Sequence, residues 1–527
     1  MKALFKRFWE YIEGLNGLVL ILYLLIAIST EFYLHDFLIQ LIPALVLVLA
    51  LLLILICPRI LRLFSKVQLF SAGGSKDGLK DSIVIKILLY VLPFAVFNLY
   101  FFAFYPGGFP ADPLSQMGQA ISGQYNDWHP VIHTLLAFKL PLSLSGGWIG
   151  SIVLFQIICV SAALGYSFNV VLKITDLRFT FITLLLILMN PQTAYILMYP
   201  LKDNAFAAGA ILLFAFSLQI LASKGEWIRK NINLIVFVIT AAVTTLVRHN
   251  ALLFTIPLFI ALYFYIPRKR SIVILLSTVV LCLIIKVPFY ALLGVEQPDK
   301  RQVETLGLPM TVIGGAVRYA PDSLDSEVLE FAYKVAPEDV WEKYHYGAFN
   351  PVKFSSDQDV IEEYGISKVM SMMFSCFRDA PEESMISLIK LTDPVYTVTD
   401  NYNRNTPYIP PVISANDYGI TCTGNEGLRQ ILNGYESFAE KYLSHVFMMV
   451  GTMHLLLMIF ALSKYKLAKL RDWKKILFLI PVFAYNYGTT VLLASYVDAT
   501  RFFSYTYFIV PMIIVALLKP NIGDGSE

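Results

Sequence analysis

Apolar residues run along this chain in stretches of about 16 to 25, close to the roughly 20 residues that carry a helix across a hydrocarbon core. They predict twelve helical spans, near 15–32, 37–57, 83–105, 147–171, 179–198, 203–222, 233–247, 251–267, 271–293, 444–463, 476–495 and 503–518. The runs are too long for buried strands and lack the ten-residue alternation of barrel strands. The opening "MKALFKRFWEYIEGLNGLVLILYLLIAIST" has a basic flank but no small-residue cleavage site, so it reads as a retained first span.

Basic residues sort with the connections. Arg59, Arg62, Lys66, Lys76 and Lys80 lie between spans two and three, and Lys173 and Arg178 follow span four. Lys224, Arg229 and Lys230 follow span six, and Arg268, Lys269 and Arg270 follow span eight. Six more, from Lys464 to Lys475, follow span ten, and Lys519 closes span twelve. The positive-inside rule then predicts cytoplasmic termini and two large outer stretches, a loop at 106–146 and an insertion at 294–443. The expected fold is an α-helical polytopic membrane protein: a core over 1–293, a small, mostly helical cap over 294–443, and closing helices over 444–527.

Composition agrees with that class. Of 527 residues, 57% are hydrophobic and 15% charged, where a soluble domain carries roughly 25% charged residues. A net charge of +3 points to no nucleic-acid partner. Of five cysteines, Cys376 and Cys422 fall in the outer insertion, as a disulfide or as two unrelated thiols. No Cys-x-x-Cys or Cys/His spacing suits zinc.

Chemistry collects at the outer ends of the spans. The segment "YPGGFPADPLSQMGQAISGQYNDWHP", 105–130, holds Asp112, Gln116, Asp127 and His129. Lys202 and Asp203 lie in "MYPLKDNAF", Arg248 and His249 in "LVRHNALL", and Asp498 and Arg501 in "YVDATRFF". Each has an ordinary reading. Asp112 before Pro113 suits a helix cap, His129-Pro130 a helix start, His133 a packing role, Lys202 with Asp203 a local ion pair, and Arg248 a snorkelling anchor. Their collection on one side is the stronger signal, because ionisable groups at membrane depth are costly.

Such a set suits sugar transfer from a polyprenyl-phosphate donor. Lys202, Arg248 and Arg501 lie at headgroup depth for the phosphate. Asp112 is placed to take the acceptor hydroxyl's proton. One carboxylate suffices for an inverting displacement, because phosphate already leaves readily.

The run "DPLSQ" at 112–116, "YNDWHPVIHT" at 125–134, "PLKD" at 200–203, "RHN" at 248–250 and "DATRFF" at 498–503 resembles the GT-C superfamily of polytopic glycosyltransferases. It looks most like bacterial members related to the protein mannosyltransferase and aminoarabinose transferase groups. The segment "ETLGLPMTVIGGAVR" at 304–318 is similar to a recurring segment of such proteins. The resemblance implies Asp112 as catalytic base, with Gln116, His129, Lys202, Asp203, Arg248, His249 and Arg501 around the donor. It also implies a bacterial cytoplasmic membrane, an extracytoplasmic active site, no cofactor, and a glycan or glycolipid acceptor. The third motif departs from the common Arg-Asn-Asn-Gly, and no Asp-x-Asp accompanies Asp112, which favours a metal-independent member. The rivals are a transporter or flippase of lipid-linked oligosaccharides, which would use Lys86, Lys286 and Asn169 inside the spans, a polysaccharide polymerase or ligase, and a non-catalytic receptor.

Overall fold

The structure, a computed structural model, describes residues 80–298, 306–392, 395, 411–443, 448–467, 477–493 and 499–518. The expected spans near 15–32 and 37–57 lie outside the described residues, as does Asp498.

Nearly everything described is helix, with only isolated bridges in place of strands. Helices α1 (Ile83–Ala103), α2 (Ala111–Ser122), α3 (Val131–Leu144) and α4 (Gly150–Ile174) come first. Next are α5 (Leu177–Met189), α6 (Pro191–Leu197), α7 (Lys202–Ala222), α8 (Asn231–Leu246), α9 (Leu252–Tyr263) and α10 (Arg268–Leu292). The insertion contributes α11 (Gly307–Tyr319), α12 (Ser326–Val335), α13 (Gln358–Asp379), α14 (Pro381–Thr392) and α15 (Glu426–Leu443). The chain closes with α16 (Val450–Leu467), α17 (Ile480–Leu493) and α18 (Tyr505–Leu518).

Among the described residues, α1, α4, α7 and α10 are long and apolar enough to cross a membrane, and the pair α5–α6, bent by 61°, makes a fifth if taken as one span. Among the described residues the expectation of twelve spans is thus not met at full length, since four or five helices reach it. Helix α8 has 16 residues, about 24 Å at 1.5 Å per residue against a core of roughly 30 Å. The bend between α5 and α6 falls at Asn190-Pro191, where proline cannot donate to the preceding turn and the Asn190 side chain accepts from Gln192 N–H at 3.1 Å.

Helix α4 is the hub, packing on α1 and α7, while α7 also packs on α18 and α9 on α17. The helices meet through one continuous apolar core. At one end of the bundle Lys80 donates to the Thr175 carbonyl at 2.8 Å and Arg270 to the Ile228 carbonyl at 3.0 Å, each closing a helix C-terminus. The connection after α1, the starts of α4 and α7, and the segment before α18 gather at the opposite end.

The described residues of the insertion pack in two ways. Residues 306–380 build their own apolar core around Phe331, Trp341, Tyr344 and Met372, and in it Gly315 lies so close to Ser387 that a Cβ would meet Oγ at 1.9 Å. Val395, Ile413, Ile420, Leu428 and Leu432 instead pack into the membrane-helix core. Cys376 is buried in the first unit and Cys422 exposed in the second, and both are free thiols.

The second unit is stitched to the segment after α1. Phe109 N–H donates to Val412 O at 3.0 Å and Ser414 N–H to Phe109 O at 3.1 Å. Thr423 N–H donates to Tyr105 O at 2.9 Å. The double glycine lets that segment pass beneath. Gly107 has φ +113°, and a Cβ there would lie 2.6 Å from both the Met198 carbonyl and Val153. Gly107→Ala is expected to cost about 1–3 kcal/mol through overpacking, read as a lower midpoint of thermal unfolding in detergent. An unchanged midpoint would mean that this crossing yields.

Candidate functional site

Helix α2 begins at Ala111, preceded by Pro110, and no side chain caps it. Asp112 is thus in the first turn rather than at the cap, and its carboxylate turns instead to Arg501, 3.6 Å from Nη2. A carboxylate there also gains from the helix dipole. Burial pushes the Asp112 carboxyl up, but Arg501, then Lys202, His129 and Lys353, pull it down, leaving it below the ordinary carboxylate range. Asp112 is anionic near neutral pH and stays partly open to solvent, its side chain 38% exposed.

Lys202 opens α7, within electrostatic reach of Asp112, Arg248, Asp203 and Arg501. Among the described residues it makes no ion pair within 4 Å. It is held there because Asn204, two residues on, donates to the Ile196 and Tyr199 carbonyls at 2.8 Å each, tying the loop after α6 to the start of α7. The site therefore faces two helix N-termini, each with free backbone N–H groups and positive partial charge.

Below lies a buried ion pair between Asp203 and Arg248, each side chain under 5% exposed. Arg248 Nε donates to Asn250 Oδ1 at 2.7 Å, and Asn250 Nδ2 to Thr489 Oγ1 at 2.7 Å, which links the α8–α9 turn to α17. Its guanidinium lies 4.8 Å from the Phe502 ring centroid, and that of Arg501 lies 5.1 Å from the same ring. One aromatic ring thus spaces both cations. Arg248 is a buried anchor rather than a lone snorkelling residue, and Asp203 pairs with it rather than with Lys202.

His129 is buried, and its Nδ1 has no hydrogen-bond partner among the described residues. Burial first, then Lys202, pushes its pKa down to about 4, so the ring is neutral near neutral pH. His249 is exposed and near enough to act on it. Gln116 turns away from Asp112: its amide donates to His133 Nδ1 at 2.9 Å and to Thr134 Oγ1 at 3.0 Å, fastening α2 to α3.

Asp127 is elsewhere. It pairs with Lys286 of α10 at 2.8 Å, and its N–H donates to Glu296 O at 3.0 Å, while Glu296 N–H donates to Tyr125 O at 2.9 Å. This brace fixes the turn that carries His129. Two further polar groups of the long helices, Lys86 and Asn169, are also engaged. Lys86 donates to the Asp81 carbonyl at 3.2 Å, and Asn169 to the Gly165 and Lys86 carbonyls at 2.7 and 3.2 Å.

Sequence reasoning missed Lys353 and Phe502. Phe502 follows Arg501 directly in "DATRFF", an adjacency that is a signal in the sequence, whereas Lys353 carries no local signal. Also missed was a buried network in the closing helices, in which Asn486 bridges His454 Nε2 at 2.8 Å, Thr506 Oγ1 at 3.1 Å and the Tyr505 hydroxyl at 2.9 Å. Among the described residues, no group of three or more His, Cys, Asp or Glu side chains is placed to hold a metal ion.

A profile for a family of unknown function (DUF6020) matches residues 147–383. That stretch holds Lys202, Asp203, Arg248, His249 and Lys353, while Asp112, Gln116, His129 and Arg501 fall outside it. No curated protein and no solved structure matches the chain.

Breaking the buried pair should be costly. Arg248→Met or Asp203→Leu alone is expected to destabilise by about 3–5 kcal/mol, and the two together to recover most of it. Equilibrium unfolding in mixed micelles measures the cycle, and single-variant losses below 1 kcal/mol would remove the pair from its anchoring role. His129 sets a pH window. Its folded pKa of about 4 lies below the ordinary 6.5, so the unfolded chain binds more protons between those values. Its contribution is complete above pH 6.5 and falls as pH drops towards 4, and His129→Gln should flatten the unfolding midpoint across that range.

Proposed function

We propose that this protein is an inverting glycosyltransferase that moves a sugar from a polyprenyl-phosphate donor to an acceptor hydroxyl, with Asp112 as general base. The observation that carries the reading is the company Asp112 keeps. A solvent-reachable carboxylate stands at a bundle end beside Arg501 and Lys202, above a buried Arg248–Asp203 anchor.

The donor's tail lies among the apolar helix faces, and its phosphate sits between Lys202 and Arg501, facing the starts of α2 and α7. Asp112 takes the acceptor proton as the hydroxyl oxygen attacks the anomeric carbon. The bond from that carbon to the phosphate oxygen breaks, and the phosphate leaves with the electron pair, its charge met by the two cations. A bound phosphate competes for Arg501 and Lys202, and so raises Asp112's proton affinity from its depressed value when a base is needed. Gln116 and the Asp203–Arg248 pair act by positioning, and His129, neutral and buried, faces the same space.

In this reading the basic end is cytoplasmic and the Asp112 end extracytoplasmic, in a bacterial cytoplasmic membrane, with a cell-envelope glycan or glycolipid as acceptor. Against a transport reading stand the local engagements of Lys86, Asn169 and Lys286, which leave no charged group of the described long helices aimed at a midplane site.

Asp112→Asn is expected to lower turnover by roughly 10²–10⁴-fold while donor binding persists. Mass spectrometry of co-purified lipids should then show one polyprenyl-phosphate monosaccharide accumulating with the variant. Processing at the wild-type rate would end the assignment. Lys202→Met should instead weaken donor retention, and unchanged retention would free the phosphate from Lys202.

A further inference from the structure

Helix α15, at the end of the insertion, divides lengthwise into three stripes at 100° per residue. Leu428, Leu432, Glu436, Ala439 and Leu443 form the stripe packed on the bundle, where α15 lies against α1 and α6. On one side of it are Gln430, Asn433, Ser437 and Lys441. On the other side are Ile431, Tyr435, Phe438 and Tyr442, spaced four, three and four residues apart. Ile431 is 69% exposed, Phe438 52% and Tyr442 58%. An apolar row of that kind beside a polar row is unusual on a water-facing helix.

Contacts with the bundle set its depth and its roll. The bend between α5 and α6 strands carbonyls at the end of α5. Thr193 Oγ1 donates to Ile187 O at 2.9 Å, and the Tyr435 hydroxyl donates to Met189 O. In a hydrocarbon setting such carbonyls have no water to turn to, so a hydroxyl from α15 completes the break. On the polar side, the Tyr195 hydroxyl donates to Asn433 Oδ1 at 2.8 Å. Met189 precedes Tyr195 on a chain that runs towards the Asp112 end. The apolar stripe thus faces deeper into the bundle's length and the polar stripe faces its end. Beside it, α5 exposes Leu185, Leu186 and Met189, and α1 exposes Leu99 and Phe102. The apolar row of α15 continues these outward faces. The Lys441 ammonium sits 5.2 Å from the Tyr442 ring centroid, a pairing suited to headgroup level.

We infer that α15 is an interfacial helix whose Ile431–Phe438–Tyr442 row is seated in the acyl–headgroup boundary of the same bilayer that the long helices cross. It plugs the α5–α6 break and ties the insertion to the lipid surface. The inference rests on membrane embedding and not on the sugar-transfer chemistry.

The test places p-benzoylphenylalanine at Ile431, Phe438 or Tyr442, and for comparison at Gln430 or Ser437, in the full chain. Each variant is reconstituted in phosphatidylethanolamine–phosphatidylglycerol vesicles, irradiated and analysed by mass spectrometry. Roughly tenfold more lipid adduct is expected at the first three positions than at the other two. Equal adduct at all five positions, or none at any, would overturn the inference. So would adducts at 431, 438 and 442 that run mainly to residues 1–79 of the chain or to a second copy. Three apolar positions are used so that a variant that fails to reconstitute leaves two readings. A lipid-adduct pattern as expected with an active Asp112→Asn variant would separate this inference from the catalytic one.

Discussion

The site end of this protein is built around the cost of burying charge. An arginine and an aspartate removed from water are tolerable only when they pair and when their remaining donors are met. Arg248 meets that condition through Asp203, Asn250 and the ring of Phe502, and Asn250 goes on to Thr489, while Asp203 Oδ2 has no hydrogen-bond partner among the described residues. The pair joins the start of α7, the turn between α8 and α9, α17 and the segment before α18. These are the pieces that carry Lys202, His249 and Arg501. Because the anchor is buried and directional, the cations above it are held at set positions instead of sweeping through solvent. The Coulomb gain of the pair matters less than the register it imposes.

A second constraint acts on the backbone. A membrane helix bent at Asn190-Pro191 leaves carbonyls without donors, and the fold answers with Thr193 and with Tyr435 from far along the chain. The segment after α1 raises the same difficulty. Its peptide groups are met by residues 412–425 of the insertion, and its double glycine allows the close crossing. The later half of the insertion is part of the bundle, and its earlier half keeps a separate apolar core from which Lys353 acts on Asp112.

The two carboxylates of the 105–130 segment show how burial sorts residues of one type. Asp127 is nearly sealed, paired with Lys286 and braced on Glu296, which makes it a structural tie for the turn bearing His129. Asp112 stays partly open beside cations that keep it ionised. Only the second has both the access and the charge that a base requires.

Much of this was legible in the sequence. Apolar runs placed α1, α4, α7 and α10 to within a few residues, because helix length and hydropathy are local properties. Charge sorting along the connections put Asp112, Lys202, Arg248 and Arg501 at one end, since lipid excludes ionisable groups wherever they occur. Partner choice was not local. That Arg248 takes Asp203, that Asp127 takes Lys286 some 159 residues away, and that Gln116 fastens α2 to α3 depend on which helix ends meet. The bend at Asn190 begins with the local break at Pro191, but its completion by the Tyr435 hydroxyl from the insertion comes from packing. The sequence by itself determined which segments are helical and apolar and where charge gathers. The tertiary structure decided which charges are buried against one another and which stay partly open to solvent, because a buried ion must be paired by whatever the fold brings alongside it.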